Sequence, residues 1–161
     1  MKLAVALVAI LGLNTNVFAQ VNYTNGAGIR LGGYENGLTL KHFTDSETAI
    51  EGIIGFRPGV FVVTGLYEKH QIAFAEPSLN FFYGAGAHIG GISRDRYYRG
   101  YGRERYYGDS GILLGLDGIA GLEWQIPELP LAASVDLHPR LELAKGPFLD
   151  LEAAISIRYT F

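Results

Sequence analysis

The chain contains no cysteine, so neither disulfides nor thiolate metal sites can stabilise it. A single methionine stands at position 1 and a single tryptophan at 124. Beyond the first nineteen residues, no apolar run reaches the length a membrane-crossing helix needs. A sustained 3.6-residue period is missing as well, which argues against amphipathic helices. No excess of positive charge marks a general nucleic-acid binder: the formal net charge is −3. The four histidines, His42, His70, His88 and His138, have no metal-ligand spacing. The glycine pairs open no helix, so they do not form a phosphate-cradling loop. On these grounds no cofactor and no metal is expected, and the 161 residues suffice for one domain.

What is present begins with a leader. Met1-Lys2 is a short positive segment, Leu3 to Leu13 is apolar, and Val17-Phe18-Ala19 has small or permitted residues where signal peptidase reads. Residues 1–19 are therefore expected to be a cleaved secretory signal peptide, and residues 20–161 the folded domain. No cysteine follows the cleavage site, which excludes a lipoprotein.

The dominant pattern of the folded part is a period of two, the mark of strands with unlike faces. Across 111–126 one row reads Ile112, Leu114, Leu116, Gly118, Ala120, Leu122, Trp124, Ile126, and the interleaved row contains Asp117, Glu123 and Gln125. Near the C-terminus Leu151, Ala153, Ile155, Ile157, Tyr159 and Phe161 alternate with Glu152, Ala154, Ser156, Arg158 and Thr160. Similar alternation marks strands near 22–33, 37–43, 50–56, 61–68, 81–90 and 131–138. Turn formers separate them: Tyr34 to Gly37, Thr44 to Glu47, Arg57-Pro58-Gly59, His70 to Ser78, 91–110, Pro127 to Pro130, and Lys145-Gly146-Pro147. The count is eight strands and seven connections.

Such strands suit either a soluble barrel with an apolar inside or a membrane barrel with an apolar outside. Three features favour the second. Most strands approach or exceed the roughly 9–11 residues that cross a bilayer at a tilt. The polar rows carry Arg30, Lys41, Glu51, Glu68, Asp117, Glu123, Asp136, Glu152 and Arg158 among glycines and small residues, which fits a narrow, charge-paired lumen. Tyr67, Phe81, Tyr83, Trp124, Tyr159 and Phe161 sit near strand ends on the apolar rows, as interfacial girdles do. The expected fold is all-β: an eight-stranded antiparallel up-and-down transmembrane β-barrel.

The ending Ser156-Ile157-Arg158-Tyr159-Thr160-Phe161, with the strand pattern before it, resembles the small eight-stranded outer-membrane barrels of the OmpA transmembrane domain and OmpX type. Thr64-Gly65-Leu66-Tyr67-Glu68 and Tyr83 to His88 resemble a poorly characterised subgroup of these barrels. The ending departs from the family signal at Ser156, where glycine is preferred, and at Ala154, where a polar residue is. The resemblance implies a Gram-negative-type outer membrane, with lipid and lipopolysaccharide as surroundings. It also implies that Tyr159 and Phe161 belong to a signal read by the barrel-insertion machinery. Both chain ends would then face the periplasm, and the first, third, fifth and seventh connections the exterior.

That topology places the stretch Arg94-Asp95-Arg96-Tyr97-Tyr98-Arg99-Gly100-Tyr101-Gly102-Arg103-Glu104-Arg105-Tyr106-Tyr107 outside the cell. Arg94, Arg96, Arg99, Arg103 and Arg105, with Tyr97, Tyr98, Tyr106 and Tyr107, are candidate contacts. Their partner would be the phosphorylated outer leaflet, an extracellular glycan or a protein; nucleic acid is not expected. A solvated loop covering the rim is the plainer alternative. Inside the barrel, Lys41 and Arg158 are expected to bridge Glu51, Glu68 and Glu123 as a buried ion-pair network.

Two other functions stay open at this level. A lipid-modifying enzyme needs a hydroxyl, a histidine and a carboxylate in contact. Ser134, Asp136 and His138 share a strand face, but neighbours there lie about 6–7 Å apart. A narrow gated channel would need a movable internal ion pair, because eight strands leave an interior just wide enough for side chains.

Overall fold

The computed structural model describes residues 23–32, 36–93, 96–100, 103–107, 110–144 and 147–161. Eight strands form the barrel: β1 (Asn25–Gly32), β2 (Asn36–Phe43), β3 (Thr48–Arg57), β4 (Val60–Ala73), β5 (Glu76–Ile92), β8 (Gly111–Gln125), β9 (Leu131–Glu142) and β10 (Phe148–Thr160). Two short strands, β6 (Arg96–Gly100) and β7 (Arg103–Tyr107), make a separate ribbon between β5 and β8. Every barrel strand pairs antiparallel with its neighbours, and β1 pairs with β10 to close the sheet. Closure leaves the barrel sheet without a free edge, as a backbone in hydrocarbon requires. The expected signal segment, residues 1–19, lies outside the described residues.

On β3, β4, β9 and β10 the two rows separate into one exposed and one buried. Ile29, Leu38, Leu40, Ile50, Leu116, Val135, Ile155 and Ile157 face outward, each about half exposed. Arg30, Lys41, Glu51, Glu68, Glu123, His70, His138 and Arg158 are fully buried inside. A barrel that turns its apolar side chains out and its charges in is built to stand in a bilayer. Tyr67, Phe81, Tyr83, Trp124, Tyr159 and Phe161 all point outward near the end where the chain termini lie, forming one aromatic belt. At the opposite end Phe56 and Phe61 pair at 5.4 Å between ring centroids.

The glycines of the inner rows have a shared logic. Large inward side chains stand across the ladder from glycine: Lys41 from Gly26, Arg158 from Gly28, Arg30 from Gly37, Glu68 from Gly84, Asp117 from Gly86, His88 from Gly115, and both Phe82 and Asp136 from Gly121. At Gly121 an added Cβ would lie 2.7 Å from Asp136 Cβ and 2.8 Å from Phe82 Cζ. The sequence thus reserves the space its charged residues occupy.

Several boundaries differ from the sequence reading. His70 to Ser78 is not a loop: β4 runs through Ala73 and β5 resumes at Glu76, with only Phe74 and Ala75 between. Both have positive φ, 54° and 57°, the conformation of a two-residue hairpin turn that usually selects glycine or asparagine. The polar character of this segment suggested a connection, but in an inside-out barrel polar side chains belong to the interior, and His70 is there. β9 likewise continues past His138 to Glu142, through Pro139. Proline is tolerated because the β8–β9 pairing lapses between Asp117–Arg140 and Ala120–Leu137, where no amide donor is demanded. β10 begins at Phe148 rather than Leu151, and the segment 91–110 contains a ribbon rather than a plain loop.

Candidate functional site

The barrel interior holds two groups of ionised side chains at different depths. The group nearer the chain termini is built around Lys41 on β2 and Arg158 on β10. Register sets its first contacts: Lys41 is the ladder partner of Glu51 on β3, and Arg158 lies one strand beyond β1 on the other side. Lys41 Nζ stands 3.0 Å from Glu51 Oε2, 2.8 Å from Glu68 Oε2 and 3.3 Å from Glu123 Oε2. Arg158 reaches Glu51 Oε1 at 2.5 Å and Glu123 Oε2 at 3.2 Å. The structure therefore brings all five residues into one cluster, every side chain fully buried.

Neutral groups complete it. Arg158 donates to Thr39 Oγ1 at 3.1 Å and to Ser134 Oγ at 3.0 Å, and Thr39 donates in turn to Glu51. The Tyr23 hydroxyl donates to Glu123 Oε1 at 2.7 Å. His70 Nε2 lies 3.1 Å from Glu68 Oε2, and its ring stacks on Phe82 at 5.2 Å. Lys41 Nζ sits 4.4 Å from the centre of the Phe82 ring, a cation–π contact that adds to its carboxylate contacts.

The second group lies toward the β6–β7 end and is centred on Asp117. Its carboxylate meets His88 Nδ1 at 2.8 Å and His138 Nε2 at 2.9 Å, and accepts from Arg140 Nε at 3.1 Å. His88 Nε2 continues to Glu142 Oε2 at 3.1 Å, whose other oxygen accepts from the Leu114 and Ala144 amides, each at 3.0 Å. Arg30 forks onto Asp136 at 2.7 and 2.8 Å and approaches His138 Nδ1 at 3.4 Å. Of the three residues that share a strand face, Asp136 accepts from Arg30, His138 lies between Asp117 and Arg30, and Ser134 accepts from Arg158. No hydroxyl–histidine–carboxylate relay is assembled among them.

Sequence reasoning singled out Lys41, Glu51, Glu68, Glu123 and Arg158, but missed Tyr23, Thr39 and His70 as members of their cluster. It assigned Asp117, His88, Asp136 and Arg30 to the inner rows without joining them into a second one. Arg140 and Glu142 were missed because the strand was ended too early, although both continue its period of two. Of the candidate contacts in 94–107, Arg94 lies outside the described residues. Arg96, Tyr97, Tyr98 and Arg99 fall on β6, and Arg103, Arg105, Tyr106 and Tyr107 on β7. Tyr159 and Phe161 face outward at the seam, where Phe161 exchanges two backbone hydrogen bonds with Asn25, both 2.8 Å.

Interior counter-charge is unequal. Among the described residues, four cationic side chains (Arg30, Lys41, Arg140, Arg158) are buried with eight carboxylates (Glu51, Glu68, Asp117, Glu123, Asp136, Glu142, Asp150, Glu152). Lys41 and Arg158 are each shared among carboxylates, so removing either strips more than one of them of a partner. Among the described residues no cluster of histidines and carboxylates has the arrangement of a metal site.

No family model and no curated protein sequence matches the chain. Among solved structures, it is similar to the crystal structure of the N-terminal β-barrel domain of Pseudomonas aeruginosa OprF. That likeness has a TM-score of 0.60 at 15% identity, over 85% of this chain and 95% of the other. Acinetobacter baumannii CarO aligns with a TM-score of 0.48 at 9% identity, over 88% of this chain and 99% of that one. The likeness to the OprF barrel domain is one of fold.

Proposed function

We propose that the chain is an integral outer-membrane protein whose lumen is plugged by its own ion pairs, and that it acts as a structural and surface-binding element through the β6–β7 ribbon. The carrying observation is the interior itself: Lys41, Glu51, Glu68, Glu123 and Arg158 are each 0% exposed and joined at salt-bridge distance. Paired side chains that fill the interior of an eight-stranded barrel leave solutes no path, and put any activity on the rims. The outward apolar rows and the likeness to an outer-membrane barrel domain support the location. Export through a cleaved signal peptide, handling by the barrel-insertion machinery and a lipopolysaccharide environment belong to the same reading. An extracellular glycan or protein would be the remaining class of partner.

The catalytic alternative has little to stand on, since Ser134, Asp136 and His138 are each engaged elsewhere. A gated channel is the competing reading, and it would require the pairs of the cluster around Lys41 and Arg158 to exchange. Two measurements test the proposal. Reconstituted in a planar bilayer, the protein is expected to show no steady conductance, and a persistent open level would overturn the plugged lumen. On intact cells, an added protease of broad specificity should cut within 94–107 and spare Pro127 to Pro130. Cleavage only after the outer membrane is opened would reverse the orientation.

A further inference from the structure

One histidine at the ribbon end of the lumen has contacts that a neutral ring does not satisfy. His88 on β5 stands between two carboxylates from different strands. Asp117 Oδ2 on β8 lies 2.8 Å from its Nδ1, and Glu142 Oε2 on β9 lies 3.1 Å from its Nε2. None of the three side chains is more than 2% exposed. A neutral imidazole has one N–H and one bare lone pair. With a carboxylate oxygen at each nitrogen, a neutral ring would set lone pair against lone pair at one of them, out of reach of water. Turning the ring over would only set carbon against both acids. The ring is also seated over Gly115, where an added Cβ would stand 2.6 Å from His88 Cε1. These contacts demand a proton on each nitrogen.

The neighbours place that charge on the ring. Asp117 Oδ1 accepts from Arg140 Nε at 3.1 Å and from His138 Nε2 at 2.9 Å. Glu142 Oε1 accepts the amides of Leu114 and Ala144, each at 3.0 Å. Both acids are thus engaged as anions, and the proton between His88 and Glu142 belongs to nitrogen. His138, bound to the same aspartate, is the internal contrast. Its Nδ1 lies 3.4 Å from an Arg30 nitrogen, which only donates, so His138 accepts there and is neutral. The other groups around His88 are Thr64 across the ladder on β4, Gly115 across the ladder on β8, and Arg140. Arg140 reaches Thr64 at 3.4 Å and stands across from Asp150 on β10.

We infer that His88, Asp117 and Glu142 form a proton-binding latch, in which His88 is held as an imidazolium that ties β5, β8 and β9 together at the ribbon end. It supplies a fifth cation to the four buried beside eight carboxylates among the described residues. Glu142 carries the effect to the backbone. It makes the outermost ladder pair of β9 with β8, opposite Gly115, and its far oxygen holds the amide of Ala144, two residues beyond β9. Without the proton, the Nε2 lone pair faces the carboxylate and repels the side chain that anchors the start of the β9–β10 connection. Closing the latch takes up a proton. By linkage its contribution is present at low pH and is lost as pH rises.

The test uses the folded full-length protein in neutral detergent. At about pH 7, nitrogen NMR should find a proton on both ring nitrogens of His88 and on only one of His138. A bare nitrogen on His88 would overturn the inference in the parent protein, with no variant needed. Hydrogen exchange reads the latch itself. Protection of the Leu114 and Ala144 amides, corrected for the intrinsic rate at each pH, should fall about tenfold between about pH 6 and about pH 9. The His70 amide, which donates to Glu47 O at 2.7 Å at the other end of the barrel, should keep its protection. Glu142→Gln supplies an N–H that can donate to a bare ring nitrogen, while its oxygen still takes the two amides. In that variant His88 should be neutral at about pH 7, and the pH dependence of the two amides should vanish. Heat-modifiable migration checks that the variant forms the barrel; if it does not, the ring nitrogens of the parent decide alone. Protection that stays level with pH in the parent, an equal fall at His70, or an unchanged pH dependence in Glu142→Gln would each overturn the latch.

Discussion

Arg158 joins the acidic and the neutral members of the cluster nearer the chain termini. Its guanidinium touches two carboxylates, Glu51 at 2.5 Å and Glu123 at 3.2 Å, and two hydroxyls, on Thr39 and Ser134. All four partners are buried, so none can turn to water when it is removed. In Arg158→Met, Lys41 alone would face three carboxylates within 3.3 Å of its amine. Breaking a buried pair while its partner stays ionised costs about 3–5 kcal/mol. Glu51→Gln leaves Arg158 one carboxylate, Glu123, and should cost less. Combined, Arg158→Met and Glu51→Gln remove a charge of each sign from one contact. The double variant should therefore be more stable than the sum of the singles predicts, by about 1–3 kcal/mol, within the range for directly contacting residues. The assay is equilibrium urea unfolding in lipid vesicles, followed by Trp124 fluorescence and by the gel shift between folded and unfolded barrel. A strictly additive cycle would refute the reasoning, because it would mean that the two side chains do not share energy across that contact.

The glycine rule gives a contrast that needs no charge. Gly121→Ala, which forces a methyl group against Asp136 and Phe82, should destabilise by about 1–3 kcal/mol in the same urea assay. Gly52→Ala and Gly65→Ala face outward with nothing within 4 Å and should stay within about 0.5 kcal/mol of the parent. Equal losses at inner and outer positions would remove packing as the explanation. Replacing both Tyr159 and Phe161 with alanine should lower the yield of assembled, heat-modifiable barrel in membranes. Normal yield would show that this aromatic pair serves neither the seam nor insertion.

The period of two by itself decided which residues face lipid and which face inward. Arg30, Lys41, Glu51 and Arg158 could be placed on the inner rows before any coordinates, because side-chain alternation is a local property of a strand. The number of barrel strands was legible for the same reason, through the turn formers between alternating runs. Strand ends were less legible. His70, Arg140 and Glu142 look like loop residues only if polarity is taken to mean solvent, and in this barrel it means the interior.

Contacts across the lumen were decided by tertiary structure. Lys41 and Glu123 are 82 residues apart, and Tyr23 and Glu123 are 100 apart. Their meeting depends on the stagger accumulated round eight strands and on closure of β1 against β10. A shift of one residue at any seam would turn a whole row from water-excluded interior to lipid. The division of the charges into one cluster around Lys41 and Arg158 and another around Asp117 follows from that stagger. So does the engagement of Ser134, Asp136 and His138 with Arg158, Arg30 and Asp117 rather than with each other. Sequence sets the face of each side chain because that requires only the neighbouring peptide; its depth and partners require the whole closed sheet.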